Sequence, residues 1–224
     1  MFESLTLSNL PERQCGILRP PTNTRPIIWV VEEGGVRAVV KDFSRSRFFF
    51  RNTVGRFLVW RESKAYQRLT GIRGVPNLYG MIDGLALILE EIPGRDLGNP
   101  RAGKNPPDDF FDNLKALVRG IHARGLAHCD LKKARNTLLG RDGLPYIVDW
   151  GASIAAEEFR FSILRLIYRR FLVDDHAAVV KLKLHYTPQE VTPEERIFYE
   201  RRGKGGKVIR ALRDRLKALF QRVA

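Results

Sequence analysis

Residues 128–151 read HCDLKKARNTLLGRDGLPYIVDWG. A His-x-Asp, His128-Cys129-Asp130, is followed in the same loop by Asn136. Two short apolar runs, 137–139 and 145–148, then flank Arg141-Asp142-Gly143, the composition of a tight hairpin turn. A second carboxylate, Asp149, comes next, with an aromatic residue and a glycine behind it. This order places two carboxylates and an amide at one end of a small β-hairpin. One carboxylate of such a set can orient a hydroxyl nucleophile. The other, with the amide oxygen, can hold a divalent metal on a polyphosphate.

Upstream, residues 108–124 carry Phe110, Phe111, Leu114, Leu117, Val118 and Ile121 at the spacing of one helical face, and Gly125 is a fitting stop. Residues 98–107 are rich in Gly, Pro and Asn and follow Pro93-Gly94, which marks the best domain boundary. Before it, 27–33 (IIWVVEE) and 36–41 (VRAVVK) read as a hairpin around Gly34 and Gly35. Residues 53–69 have helical spacing (Leu58, Ala65, Tyr66, Leu69) and end at Gly71. A second hairpin, 78–82 and 85–91, turns at Asp83-Gly84, and its LALIL run lacks alternation, as a strand covered on both faces does. Everything after Ser153 reads as helical and basic. The expected fold class is α+β, in two lobes with a cleft between them: 1–94, 95–200, and a basic amphipathic tail, 201–224.

Composition limits the alternatives. The 224 residues hold 44 % hydrophobic residues, and no apolar run reaches membrane-spanning length. The N-terminus, MFESLTLSNLPER, lacks the basic start and apolar core of a secretory signal. Cys15 and Cys129 form no Cys-x-x-Cys pair, so a reducing, cytoplasmic setting is the simple reading and a zinc site is not expected. Net charge is +14, and residues 201–224 supply nine Lys/Arg against one Asp. Such a tail attracts an anionic surface, nucleic acid or the inner leaflet of a membrane. The sequence shows none of the interleaved aromatic–basic patterns of known nucleic-acid modules, which argues against the first. Residues 159–171 and 207–223 alternate apolar and basic side chains at helical spacing. Their apolar faces either lie on a membrane or pack on the protein. The triple aromatic of 47–51 (RFFFR) reads as a core anchor.

Taken together, these motifs resemble the protein-kinase-like superfamily over roughly residues 25–190, most of all its small atypical bacterial members, the lipopolysaccharide-core Kdo/heptose kinases and the RIO-like kinases. The resemblance implies a bilobal fold, with a small antiparallel-sheet N-lobe carrying one helix and a reduced, mostly helical C-lobe. It makes His128-Cys129-Asp130 the counterpart of His-Arg-Asp, with Asp130 as the base for the acceptor hydroxyl. Lys132 would neutralise the transferring phosphoryl group. Asn136 and Asp149, the latter in Asp149-Trp150-Gly151, would hold the metal. Lys41, ending the strand AVVK, would grip the nucleotide phosphates, Glu62 would pair with it, and Glu91 and Ile92 would meet the adenine. The implied cofactors are ATP with Mg²⁺ or Mn²⁺.

Singly, each motif has an ordinary reading: His-x-Asp and Asp-aromatic-Gly occur in turns, and a strand Lys with a helix Glu can be a surface ion pair. In this order they support one another. The departures are specific. Five residues, 131–135, separate Asp130 from Asn136 where the usual loop has four. Cys129 replaces the arginine that reads a phosphorylated loop, and no Ala-Pro-Glu follows Asp149. The glycine-rich lid is replaced by 16–26 (GILRPPTNTRP). These absences favour a glycan, small-molecule or atypical protein acceptor. The expectation is an ATP-dependent kinase acting on a hydroxyl, either a lipopolysaccharide-core sugar or a protein Ser/Thr. A peripheral position on the inner membrane face would bring it to a glycolipid. The alternatives are a pseudokinase scaffold and a basic nucleic-acid-binding protein.

Overall fold

The structure, a computed structural model, describes residues 2–98, 105–158 and 162–205. It divides into two units: residues 1–93 together with 148–151, and residues 94–147 with 152–224. The 207–223 segment, residues 99–104 of the Gly/Pro/Asn-rich break and residues 159–161 lie outside the described residues.

The first unit is built on an antiparallel sheet in the order β1-β2-β3-β5-β4, from β1 (Gln14–Arg19), β2 (Ile27–Glu33), β3 (Val36–Asp42), β4 (Leu78–Ile82) and β5 (Ala86–Glu90). Gly34 and Gly35 both have positive φ (59° and 77°), which the two-residue turn between β2 and β3 requires. Ile27, Trp29 and Val31 of β2, Ala38 and Val40 of β3, and Ala86 and Ile88 of β5 share one face with Phe2, Leu5 and Leu10 of the N-terminal segment, which includes α1 (Leu10–Arg13). Strand alternation sends Lys41, Leu87 and Leu89 to the opposite face. Leu87 and Leu89 are buried there too, so β5 is covered on both sides. That accounts for its unbroken apolar run.

The helical run on this unit starts with α2 (Phe48–Phe50), passes through a π turn at Arg51–Gly55 and continues as α3 (Arg56–Arg68). Its buried side carries Val59, Glu62, Ser63, Ala65 and Tyr66. The aromatic triplet departs from expectation. Only Phe50 is buried, packed on Phe43 with ring centroids 6.4 Å apart, while Phe48 and Phe49 stand in solvent. Three consecutive helical residues point in three directions, so one helix side cannot take them all.

The second unit contains a three-stranded sheet, β6 (Gly94–Asp96), β8 (Thr137–Gly140) and β9 (Pro145–Ile147), with β8 central. A Cβ on Gly94 would sit 2.2 Å from the Leu139 carbonyl oxygen, so only glycine allows β6 to lie against β8 there. All six apolar residues anticipated for the upstream helix are buried in α4 (Phe110–Ala123). Gly125, with φ 71°, ends that helix in the left-handed conformation. β7 (Leu126–Ala127) then pairs with β10 (Ile154–Ala155). That pairing corrects the reading of everything after Ser153 as helical, because a two-residue strand has no periodicity to read. α5 (Ser162–Tyr186) and α6 (Pro193–Gly205) complete the unit. Among the described residues, no helix is long and apolar enough to cross a membrane.

Candidate active site

Two clusters of polar groups stand out, one in each unit. In the first, Lys41 reaches off β3 toward α3. Its Nζ lies 2.8 and 2.7 Å from the two Glu62 carboxylate oxygens and 2.6 Å from Asp149 Oδ1. These three acceptors match the three N–H donors of an ammonium. Exposure is graded across the cluster: the Glu62 side chain is 2 % exposed, Lys41 11 % and Asp149 44 %. Glu62 is thus the inner anchor, and Asp149 is the group that meets solvent.

Burial on its own would drive the proton off Lys41. The charges of Asp149 and Glu62 outweigh it and hold the amine above the ordinary lysine value. For Glu62 burial raises the pKa, and the Lys41 charge takes back only part of that rise. The cluster carries one positive and two negative charges. Its accessible carboxylate therefore sits in a local excess of negative charge, the setting that a hard cation needs.

The turn presenting Asp149 is strained, with φ 70° at the aspartate. Two α3 side chains, four residues apart, hold it. Glu62 Oε1 accepts the Trp150 backbone N–H at 3.2 Å, and the Tyr66 hydroxyl accepts the Asp149 backbone N–H. Trp150 is wholly buried. Burial, with Glu62 and Asp149 nearby, keeps the Tyr66 hydroxyl protonated well above the usual phenol range. Sequence reasoning missed Tyr66 in this role. Its position one helical turn after Glu62 was the available signal.

The second cluster centres on the 128–136 loop. His128 is 1 % exposed. Its Nδ1 accepts the Asp130 backbone N–H at 3.2 Å, and Cys129 between them has φ 65°. Asp175 of α5 stabilises this bend: one carboxylate oxygen accepts the His128 N–H at 2.7 Å and the other the Cys129 N–H at 3.1 Å. The first oxygen also meets His122 Nε2 at 3.1 Å. Asp175 is buried. It too was missed, although an acid within the apolar stretch FLVDDHAAVV marks a carboxylate that needs buried partners.

The extra loop residue does not carry Asn136 away. Residues 134–136 form a short 3-10 turn, and Asn136 Nδ2 donates to the Asp130 carbonyl at 3.2 Å. The bond engages the amide nitrogen, so the side chain's remaining polar atom is its carbonyl oxygen, an acceptor or metal ligand. Lys133 forms an ion pair with the Asp130 carboxylate, and Lys132 is exposed. Glu91, after β5, receives the Arg37 guanidinium, and Ile92 follows it half-buried. In the lid region, residues 16–19 belong to β1, and Thr22 and Arg25 bridge the turn that leads to β2. Asp149 in the first unit and Asn136 in the second each offer a side-chain oxygen of the hard kind that Mg²⁺ takes.

The fold is a protein-kinase-like one. The Rio2 kinase of Chaetomium thermophilum superposes with a TM-score of 0.56 at 16 % identity, covering 89 % of this chain and 67 % of that one. A Rio2 kinase–ADP/Mg²⁺–phosphoaspartate complex from the same organism gives 0.56 at 15 % identity, over 89 % and 65 % of the two chains. Among curated sequences, a probable serine/threonine-protein kinase, HAL5-like, of Vanderwaltozyma polyspora is 27 % identical over 161 residues, which is 65 % of this chain and 21 % of that protein. The serine/threonine-protein kinase PknD of Chlamydia trachomatis is 51 % identical over 45 residues, 20 % of this chain and 5 % of that protein. The chain spans about a fifth or less of the length of these curated relatives. No family model matches it.

Proposed function

We propose that the chain is an ATP- and Mg²⁺-dependent phosphotransferase that moves a γ-phosphoryl group to a hydroxyl acceptor. The observation carrying this reading is the Lys41 ammonium held by both Glu62 and Asp149. A buried lysine with its partner glutamate, ending in an accessible aspartate, is an arrangement for holding polyphosphate and its metal. Lys41 binds the phosphates, and Glu62 keeps its amine oriented. Asp149 and Asn136 would hold Mg²⁺, which when bound would neutralise phosphate charge. Asp130 accepts the proton of the acceptor hydroxyl, and His128 and Asp175 set the backbone that carries it. Lys132 would contribute positive charge toward the transferring group, and Glu91 and Ile92 would meet the adenine. Most of the rate comes from positioning and electrostatics, which an ordinary carboxylate base suits.

The acceptor is a sugar hydroxyl of a glycolipid or a protein Ser/Thr. Labelled ATP offered to lipopolysaccharide fractions and to protein extract separates the two. Label in neither fraction, with Mg-ATP still raising the thermal midpoint, would instead favour the scaffold reading.

A further inference from the structure

The outward side of the α2–α3 run carries large apolar side chains that the phosphotransfer reading does not use. Phe48 is 64 % exposed, Phe49 80 %, Phe57 48 % and Trp60 53 %. They form two pairs. Phe48 and Phe49 meet edge to face at 5.8 Å, and Phe57 and Trp60 lie 6.0 Å apart. Phe49, Thr53, Phe57, Trp60 and Lys64 are all exposed and follow at steps of three or four residues, so they trace one stripe along the run.

The charge around this stripe is of one sign. Residues 43–73 hold Arg45, Arg47, Arg51, Arg56, Arg61, Lys64, Arg68 and Arg73, and their single acidic residue, Glu62, is buried on the inner side. Two arginines lie against the aromatics: Arg51 over Phe48 at 5.3 Å and Arg61 over Phe57 at 6.0 Å. A purely hydrophobic protein partner would not complement a face whose charge is all of one sign. A duplex nucleic acid would satisfy the arginines but would leave four large rings in contact with phosphates and water.

We infer that this stripe is a docking surface for an anionic lipid bilayer, with the Phe and Trp rings seated at the headgroup–acyl boundary and the arginines on lipid phosphates. Aromatic rings favour that depth, and basic side chains beside them gain from the negative surface potential. The inference stands apart from the phosphotransfer reading. It places the bilayer against the outer side of the helix whose inner side holds Glu62.

Sedimentation with vesicles would not separate this surface from the basic 207–223 segment, so the reporter is Trp60. Trp29 and Trp150, the other tryptophans, are buried. The full chain is mixed with vesicles of phosphatidylcholine alone, or of phosphatidylcholine with phosphatidylglycerol. The expected result is a blue shift of tryptophan emission and quenching by brominated acyl chains, only with phosphatidylglycerol present. Phe49→Ser with Phe57→Ser, both at exposed positions, should weaken the affinity read from that shift about tenfold. The Trp60→Phe protein should lose the signal while still binding. Vesicle binding without a change in Trp60 emission would overturn the inference. So would a shift produced by single-stranded nucleic acid but not by anionic vesicles.

Discussion

The two polar clusters solve the same problem, holding a carboxylate in place, by opposite means. In the first unit, charge is held by charge: Lys41 is a side chain whose partners, Glu62 and Asp149, are also side chains. In the second, Asp175 grips backbone N–H groups of His128 and Cys129. Side-chain partners can be removed together. Backbone donors cannot, so losing Asp175 removes an acceptor that no second substitution takes out of demand. A second substitution can therefore offset part of a loss in the first cluster and none of one in the second.

The largest expected effect tests function in both clusters. Asp149→Ala and Asp130→Ala should each lower phosphate transfer by about 10³-fold or more. They should differ in binding: Asp130→Ala keeps the thermal shift given by Mg-ATP, while Asp149→Ala loses its Mg²⁺-dependent part. Equal transfer by the Asp130 variant would remove that residue from the mechanism.

Stability separates the clusters further. Lys41→Met strands a buried carboxylate and should cost about 3–5 kcal/mol in urea unfolding. Adding Glu62→Met should restore part of it, since two apolar groups in place of a buried ion pair are close to neutral while the Trp150 N–H loses its acceptor. Asp175→Ala should cost about 2–4 kcal/mol, because the buried His128 N–H and the half-buried Cys129 N–H lose this acceptor. No second substitution at His128 or Cys129 should recover that loss. Recovery there would show that the two clusters are held alike.

The pH response gives a smaller effect. The Lys41 pKa is raised by folding, so its contribution to stability is complete below 10.5 and lost as pH rises through the folded value. Tyr66 is also raised and acts in the same direction. The urea midpoint of the wild type should therefore fall more steeply above pH 10.5 than that of the Lys41→Met/Glu62→Met protein. Smallest of all, Tyr66→Phe should cost about 1 kcal/mol, the net value of one hydrogen bond, at the strained Asp149 turn.

Much was legible in the sequence for plain reasons. Apolar spacing alone marks the buried side of α4, and the unalternating run of β5 marks a strand covered twice. Lys41, Glu62 and Asp149 were picked out by motif, and they stand in one ion-paired cluster. Other residues were hidden. Asp175 lies 45 positions beyond Asp130 on a helix, and no local pattern links a carboxylate to backbone donors so far away. Lys132 and Lys133 are indistinguishable by type. Only the turn at 134–136 decides which one reaches Asp130.

By itself, then, the order of residues determined the elements and the identity of the charged groups, because periodicity and residue chemistry are local properties. The tertiary structure decided which charges meet, how deeply each is buried, and which aromatics of the FFF triplet remain in solvent. Those outcomes depend on the direction in which each element faces its neighbours, and direction is a property of the packed chain.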